Sequence, residues 1–308
     1  MRKRPASPLP QRLGLDPVRL RTPDAGSAPW ATMRDHLVER LPRVAAERVE
    51  EMLEQGRIVD ADGPLDAAAP YRPGTYLWFH RDLPVETPVP FPIGIVHRDD
   101  DLLVVDKPHF LATIPRGQHV AETALVRLRR DLELPELSPA HRLDRVTAGL
   151  VMFVVHRERR GAYQTLFRDR RVHKVYEALA PHDPALELPR TVRSRIVKER
   201  GVLQAREVDG PPNAETLVEV VEVGGGLARY RLTPRTGRTH QLRLHMASLG
   251  VPIVDDDFYP DVREQPLDDF SRPLQLLAAE LAFTDPVTGA ARRFRSALRL
   301  RDLPHSPA

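Results

Sequence analysis

A carboxylate framed by arginines is the first feature of this sequence that could do chemistry. His141-Arg142-Leu143-Asp144-Arg145-Val146-Thr147-Ala148-Gly149 stands immediately before the strongly apolar run Gly149–His156. A loop that ends on a buried strand is held by a rigid scaffold yet opens onto a cleft. Positive charge nearby favours the ionised form of a carboxylate, which a nucleophile requires. An isolated Arg-x-Asp-Arg also describes an ordinary loop ion pair, so the loop needs partners before it means catalysis.

Two further segments offer them. In Thr236-Gly237-Arg238-Thr239-His240-Gln241-Leu242-Arg243-Leu244-His245, Leu242 and Met246 are four apart and share a helix face. If that face is buried, Arg243 is a partly buried cation in need of a carboxylate; the alternative is an arginine lying along its own helix. His240 and His245 are five apart, which does not put them on one helical face, and no cluster of acids completes a metal site. Lys174-Val175-Tyr176 heads a strand. A tyrosine there is either a core residue with its hydroxyl at the rim or a flat platform for a base.

The elements that must position these groups follow from periodicity and turn residues. Apolar runs predict strands over Asp101–Asp106, Gly149–His156 and the segments beginning at Lys174, Leu217, Leu227, Leu274 and Arg292, with Gly224-Gly225-Gly226 as a hairpin turn. Helices are expected over Ala121–Leu132, Arg159–Arg171 and Gly237–Gly250. Many adjacent strands and few helices imply an α+β domain with a largely antiparallel mixed sheet, over 93–308. Upstream, 84–92 is a Pro-rich linker. The stretch 31–83 reads as a small module: Met33–Glu54 is helical with a break at Pro42, and a ribbon follows, with Thr75–Phe79 as one strand. Residues 1–30, with six basic residues and two acids, read as an unfolded basic arm.

Composition removes several function classes. The 308 residues contain no cysteine, which excludes disulfides, thiolate metal sites and cysteine nucleophiles. No apolar run approaches 18 residues and no signal segment follows Met1, so a cytoplasmic, membrane-free protein is expected. Lysine occurs only at positions 3, 107, 174 and 198, so 42 of the 46 basic residues are arginine. The guanidinium fork suits RNA phosphates and bases, although a GC-rich genome gives the same bias.

Five segments in order, "LLVVDKP", "HRLDRVTAG", "KVYEA", "TGRTHQLRLHMASLGVPI" and "LAAELAFTDPVTG", resemble the RluA-type pseudouridine synthases, and "EEMLEQGRIV" with "RPGTYLWF" resembles the alpha-L RNA-binding module that often precedes them. The resemblance implies a pseudouridine synthase fold and isomerisation of uridine to pseudouridine in structured rRNA or tRNA, by a monomer with no cofactor and no metal. It implies Asp144 as nucleophile, Arg243 as the cation paired with it, and Tyr176 as the residue that stacks on the base and assists proton removal at carbon 5. It further implies RNA contacts at Arg142, Arg145, Lys174, Arg238, His240 and Gln241, with Arg142 filling the space that a flipped uridine leaves. Val146, Ala148, Asp255, Pro260 and Leu277 depart from the family pattern at positions that bear on substrate choice. Two rivals share these residues: a catalytically silent RNA-binding protein on the same fold, and a nucleoside hydrolase using Asp144, which would want a second carboxylate.

Overall fold

The computed structural model describes residues 5–24 and 29–304; Arg2, Lys3 and Arg4 of the expected arm lie outside them. The chain divides into two compact units, Met1–Pro84 and Val85–Ala308.

The first unit contains β1 (Val18–Arg21), α1 (Met33–Arg40), α2 (Ala46–Glu54), β2 (Ile58–Val59) and β3 (Tyr76–Phe79). The helical stretch breaks at Pro42 as expected. Its start is fixed by a capping box: the Thr32 hydroxyl accepts from the Asp35 N–H, and the Asp35 carboxylate accepts from the Thr32 N–H. The expectation of an unfolded arm is corrected. β1 pairs antiparallel with β3, because Val18 and Leu20 alternate with Arg19 and Arg21 and pack into the apolar cluster under the sheet. The prolines around this short stretch concealed its period of two.

The second unit holds β4 (Gly94–Arg98), β5 (Leu102–Lys107), α3 (Ala124–Asp131), β6 (Ser138–Pro139), β7 (Ala148–Val154), α4 (Arg160–Arg168), β8 (His173–Pro181), β9 (Arg190–Val197), β10 (Arg206–Val208), β11 (Ala214–Gly224), β12 (Leu227–Pro234), α5 (Gln241–Ser248), β13 (Leu276–Thr284) and β14 (Ala291–Arg295). The sheet runs β10-β9-β11-β12-β8-β13-β7-β5-β4, with β14 on β13 and β6 on β7. It is the expected α+β arrangement: the β13–β7 pair is parallel and the other pairs are antiparallel.

The middle strands are covered on both sides. Val151 and Phe153 of β7 join one apolar cluster, while Leu150, Met152 and Val154 join another. That is why β5 and β7 read as continuous apolar runs rather than alternating ones. At the parallel crossing, Gly149 has φ +107°, and a Cβ there would meet the Ala278 carbonyl oxygen at 2.4 Å. Only glycine lets β7 approach β13 this closely, and the carboxylate loop begins just upstream. Residues 84–92 form no helix or strand, but they are no free linker. The Glu86 carboxylate accepts from the N–H groups of Val120, Ala121 and Glu122. Val89 is buried in the main core, and Arg127 donates to the carbonyls of Val89 and Phe91.

Candidate active site

The loop carrying Asp144 is tied down residue by residue through its backbone. Thr113 Oγ1 donates to the Leu143 carbonyl at 2.8 Å and accepts from the Leu143 N–H at 3.1 Å. Fully buried Lys107 donates to the carbonyls of Pro108, Leu111 and Arg145. His109 Nδ1 donates to the Val146 carbonyl at 2.8 Å, and the Thr147 N–H closes a turn on the Asp144 carbonyl. The half-buried Asp144 side chain is thereby presented by a rigid frame. Burial pulls the Lys107 ammonium down to about 7, against the opposing charge of Asp144. Neither Lys107 nor Thr113 was foreseen as a support. The visible signal was a lysine inside an otherwise apolar strand, which must find acceptors.

Arg243 lies on α5 beside Leu242 and Met246, and it is buried, as their spacing implied. Its carboxylate partners are Asp256 and Asp257 rather than Asp144. Arg243 Nε donates to Asp256 Oδ2 at 2.7 Å, while Nη2 is shared by Asp256 and Asp257. Asp256 also accepts from the N–H groups of Phe258 and Tyr259, so one buried carboxylate ties helix to turn. Phe258 and Tyr259 stack on the guanidinium, with centroids 5.0 and 5.5 Å away. Burial works against the charge, yet Asp256, then Asp144 and Asp257, hold Arg243 above its ordinary range. Asp144 therefore acts on Arg243 through space; among the described residues no ion pair joins them. The run "DDD" at 255–257 was the available signal, but which acid faces Arg243 is settled only by the turn. Asp255 itself has φ +60° and is held by Arg272 and Arg301.

Tyr176 on β8 pairs with Ala278 of β13, which pairs with Gly149 of β7. One row of the sheet thus fixes the tyrosine relative to the Asp144 loop. Burial, then the charge of Asp144, raises the Tyr176 phenol above its ordinary value. It is a neutral ring at physiological pH, suited to stacking and poorly suited to removing a proton. Lys174 donates to the Thr236 carbonyl at 2.9 Å, and burial lowers its ammonium to about 8.

All nine residues singled out from the sequence line one cleft of about 730 Å³. Their surroundings differ. Arg142 and Arg238 are exposed, Arg145 is half-buried over the Phe110 ring, and Arg238 Nε donates to the Asn213 carbonyl. Gln241 is not free to read RNA. Its carbonyl oxygen accepts from Thr236 and the Arg238 N–H, and its amide donates to Glu215 and Thr216, so it shapes the turn that carries Arg238. His240 caps α5 at φ +57° with Nδ1 against the Tyr259 hydroxyl, and burial lowers its basicity. His245 has both ring nitrogens occupied, by Ser194 and Thr216. Among the described residues no group of three or more His, Asp or Glu side chains is gathered for a metal, and no helix is long and apolar enough to cross a membrane.

Nine of the residues lining the cleft are arginine or lysine, and Asp144 is its single carboxylate: to the cations above the lining adds Arg116, Arg168, Arg170 and Arg235. Such a cleft attracts a polyanion around one carboxylate. A family model for RNA pseudouridylate synthase matches residues 101–248. The chain is 36% identical over 209 residues to the dual-specificity RNA pseudouridine synthase RluA of Pasteurella multocida, covering 64% of this chain and 89% of that one. It is 30% identical to an uncharacterized RNA pseudouridine synthase of Synechocystis, covering 74% and 79%. The solved structure of human RNA pseudouridylate synthase domain containing 4 superposes with a TM-score of 0.51 at 25% identity, over 68% of this chain and 88% of that one. This chain belongs to the RluA-type RNA pseudouridine synthases, and it is an isomerase that acts on RNA.

Proposed function

We propose that the enzyme converts specific uridines of structured ribosomal or transfer RNA to pseudouridine, with Asp144 as its catalytic nucleophile. The observation that carries this reading is the lone carboxylate in a cleft of cations, held by backbone contacts on four sides of its loop. In the reaction the bond from ribose C1′ to uracil N1 breaks, the base turns, and C1′ bonds to C5. The C5 proton is lost and N1 gains one, so no atom is added overall. Attack at C1′, addition to C6 and elimination to a glycal all start from an ionised, positioned carboxylate. The guanidinium of Arg243 contributes field rather than a direct bond, and its own orientation is fixed by Asp256. Tyr176 supplies a face on which the turned-out base stacks. Its raised phenol leaves Asp144 as the carboxylate able to accept a proton once released.

Arg142, exposed on the loop beside Asp144, is suited to occupy the gap left in the RNA stack. Arg145, Lys174 and Arg238 complete the electrostatic floor, while His240 and Gln241 support it. The lack of a second carboxylate in the lining favours isomerisation over hydrolysis of the glycosidic bond. The first unit, read as an alpha-L-like RNA handle, supplies affinity. Arg48 and Arg57 are both engaged by Asp82 and Arg21 by Asp24, so that role falls instead to exposed Arg43 and Arg19, the latter 5.9 Å from the Tyr76 ring centroid. The reading retains a cytoplasmic monomer without cofactor. Mapping pseudouridines in ribosomal and transfer RNA from cells with and without this gene tests it. Sites that vanish on deletion and return with the intact gene are expected; an unchanged map together with release of free uracil from RNA would replace isomerase by hydrolase.

A further inference from the structure

Helix α4 ends in a way that its fold alone does not require. The N–H of Arg171 bonds to the Leu166 carbonyl at 2.8 Å and that of Arg170 to the Phe167 carbonyl at 3.2 Å. This pair of bonds is the Schellman ending, and it places Arg170 at the position where glycine, or sometimes asparagine, is the usual residue. Arg170 has φ +58°, a conformation that costs an L side chain and that clusters at functional sites. Its side chain is exposed, lines the cleft, and has no ion-pair partner among the described residues. A cation near a helix C-terminus is favourable in itself, but Arg168, two residues earlier and paired with Asp169, already fills that role. Nothing in the helix explains why the strained position also carries a charge.

The same helix end is anchored to the catalytic loop. Phe167 stacks on His141 with centroids 4.3 Å apart, and His141 lies three residues before Asp144, at most about 11 Å of extended chain. A chain seated with one nucleotide at Asp144 therefore has its neighbouring phosphates within reach of this end. We infer that the C-terminal end of α4, with Arg170 as its principal cation and Arg168 beside it, is a phosphate-binding subsite for the RNA strand that carries the target uridine.

The inference rests on the cleft being an RNA site, and its test separates the two ideas. Arg170→Gly removes the charge and at the same time restores the residue that the backbone favours. The full-length variant should melt at an unchanged or higher Tm, yet bind a short oligouridylate more weakly, by about fivefold to eightfold at 0.1 M salt. Its salt slope should be shallower by about 0.7 to 0.9. Arg170→Asn, which also tolerates this conformation, should behave in the same way. Unchanged affinity and slope in both variants would overturn the inference, and so would a clear fall in Tm in both, since that would make Arg170 a structural residue. Absence of pseudouridine formation by the unaltered enzyme on any RNA, with the predicted binding loss intact, would instead overturn the functional reading.

Discussion

Single residues divide into those that would meet the substrate and those that hold them. Asp144 has no hydrogen-bond partner for its carboxylate among the described residues, whereas Asp256, thirteen residues beyond Arg243, has four donors counting both guanidinium bonds. A free carboxylate can react, and a saturated one can only position. Asp256→Ala leaves a buried guanidinium with one partner and two amides with none, so a loss of about 3–5 kcal/mol in urea unfolding is expected. Where the variant remains folded, single-turnover rate should fall more than RNA affinity. Lys107→Met is isosteric in its stem but strips the donor from two buried carbonyls and one partly buried one. It should cost about 2–4 kcal/mol and slow the chemical step, because the Arg145 carbonyl it holds belongs to the Asp144 loop. Equal stability and rate in this variant would show that the loop is held without it.

At the scale of elements, the sheet brings together what the sequence separates. Tyr176, Ala278 and Gly149 form one row across β8, β13 and β7, and this row depends on a glycine with no room for a side chain. Gly149→Ala should break the parallel pairing and lower stability by more than about 3 kcal/mol, measured by urea unfolding; a tolerated alanine would contradict the close approach. Strands buried on both faces, β5 and β7, were legible because apolar runs of that length have few alternatives. The strand β9 was missed because Arg193 and Arg195 point outward between Val192, Ser194 and Ile196, and a run of arginines looks like surface until its neighbours are known. β1 was hidden in the same way. The nine residues that the family resemblance named line one cleft. The partner of Arg243 was not legible, since three consecutive aspartates offer three choices and only the 256–259 turn selects between them. The saturation of Gln241 was not legible, because its amide donors are spent on a segment distant in sequence, at 215 and 216, while its carbonyl oxygen is taken by Thr236 and the Arg238 N–H.

At the scale of the whole molecule, burial of imidazoles sets the response to acid. Burial lowers His109 and His245 to about 4 and His141 to about 3. In the unfolded chain each binds a proton near its ordinary value of about 6.5. Between about pH 6.5 and 4 the unfolded state therefore holds more protons than the folded one. Stability is full above that window and falls through it, by roughly 1.4 kcal/mol per pH unit for each imidazole. Urea midpoints measured across the window should drop steeply, and a flat profile would show that these histidines are protonated in the fold. Division at Pro84 makes a second prediction. A chain starting at Pro84 keeps Glu86, Val89 and the contacts of Arg127, so it should fold, bind RNA more weakly with a shallower salt slope, and retain a saturated single-turnover rate within about tenfold. A chain starting at Ile93 loses those contacts and should be less stable than one starting at Pro84. The central claim is that one carboxylate in this cationic cleft does the chemistry, and Asp144→Asn tests it most directly. The variant should bind its RNA within a few-fold of the parent and form no pseudouridine in single turnover at saturating protein; substantial conversion by the folded variant would contradict the account.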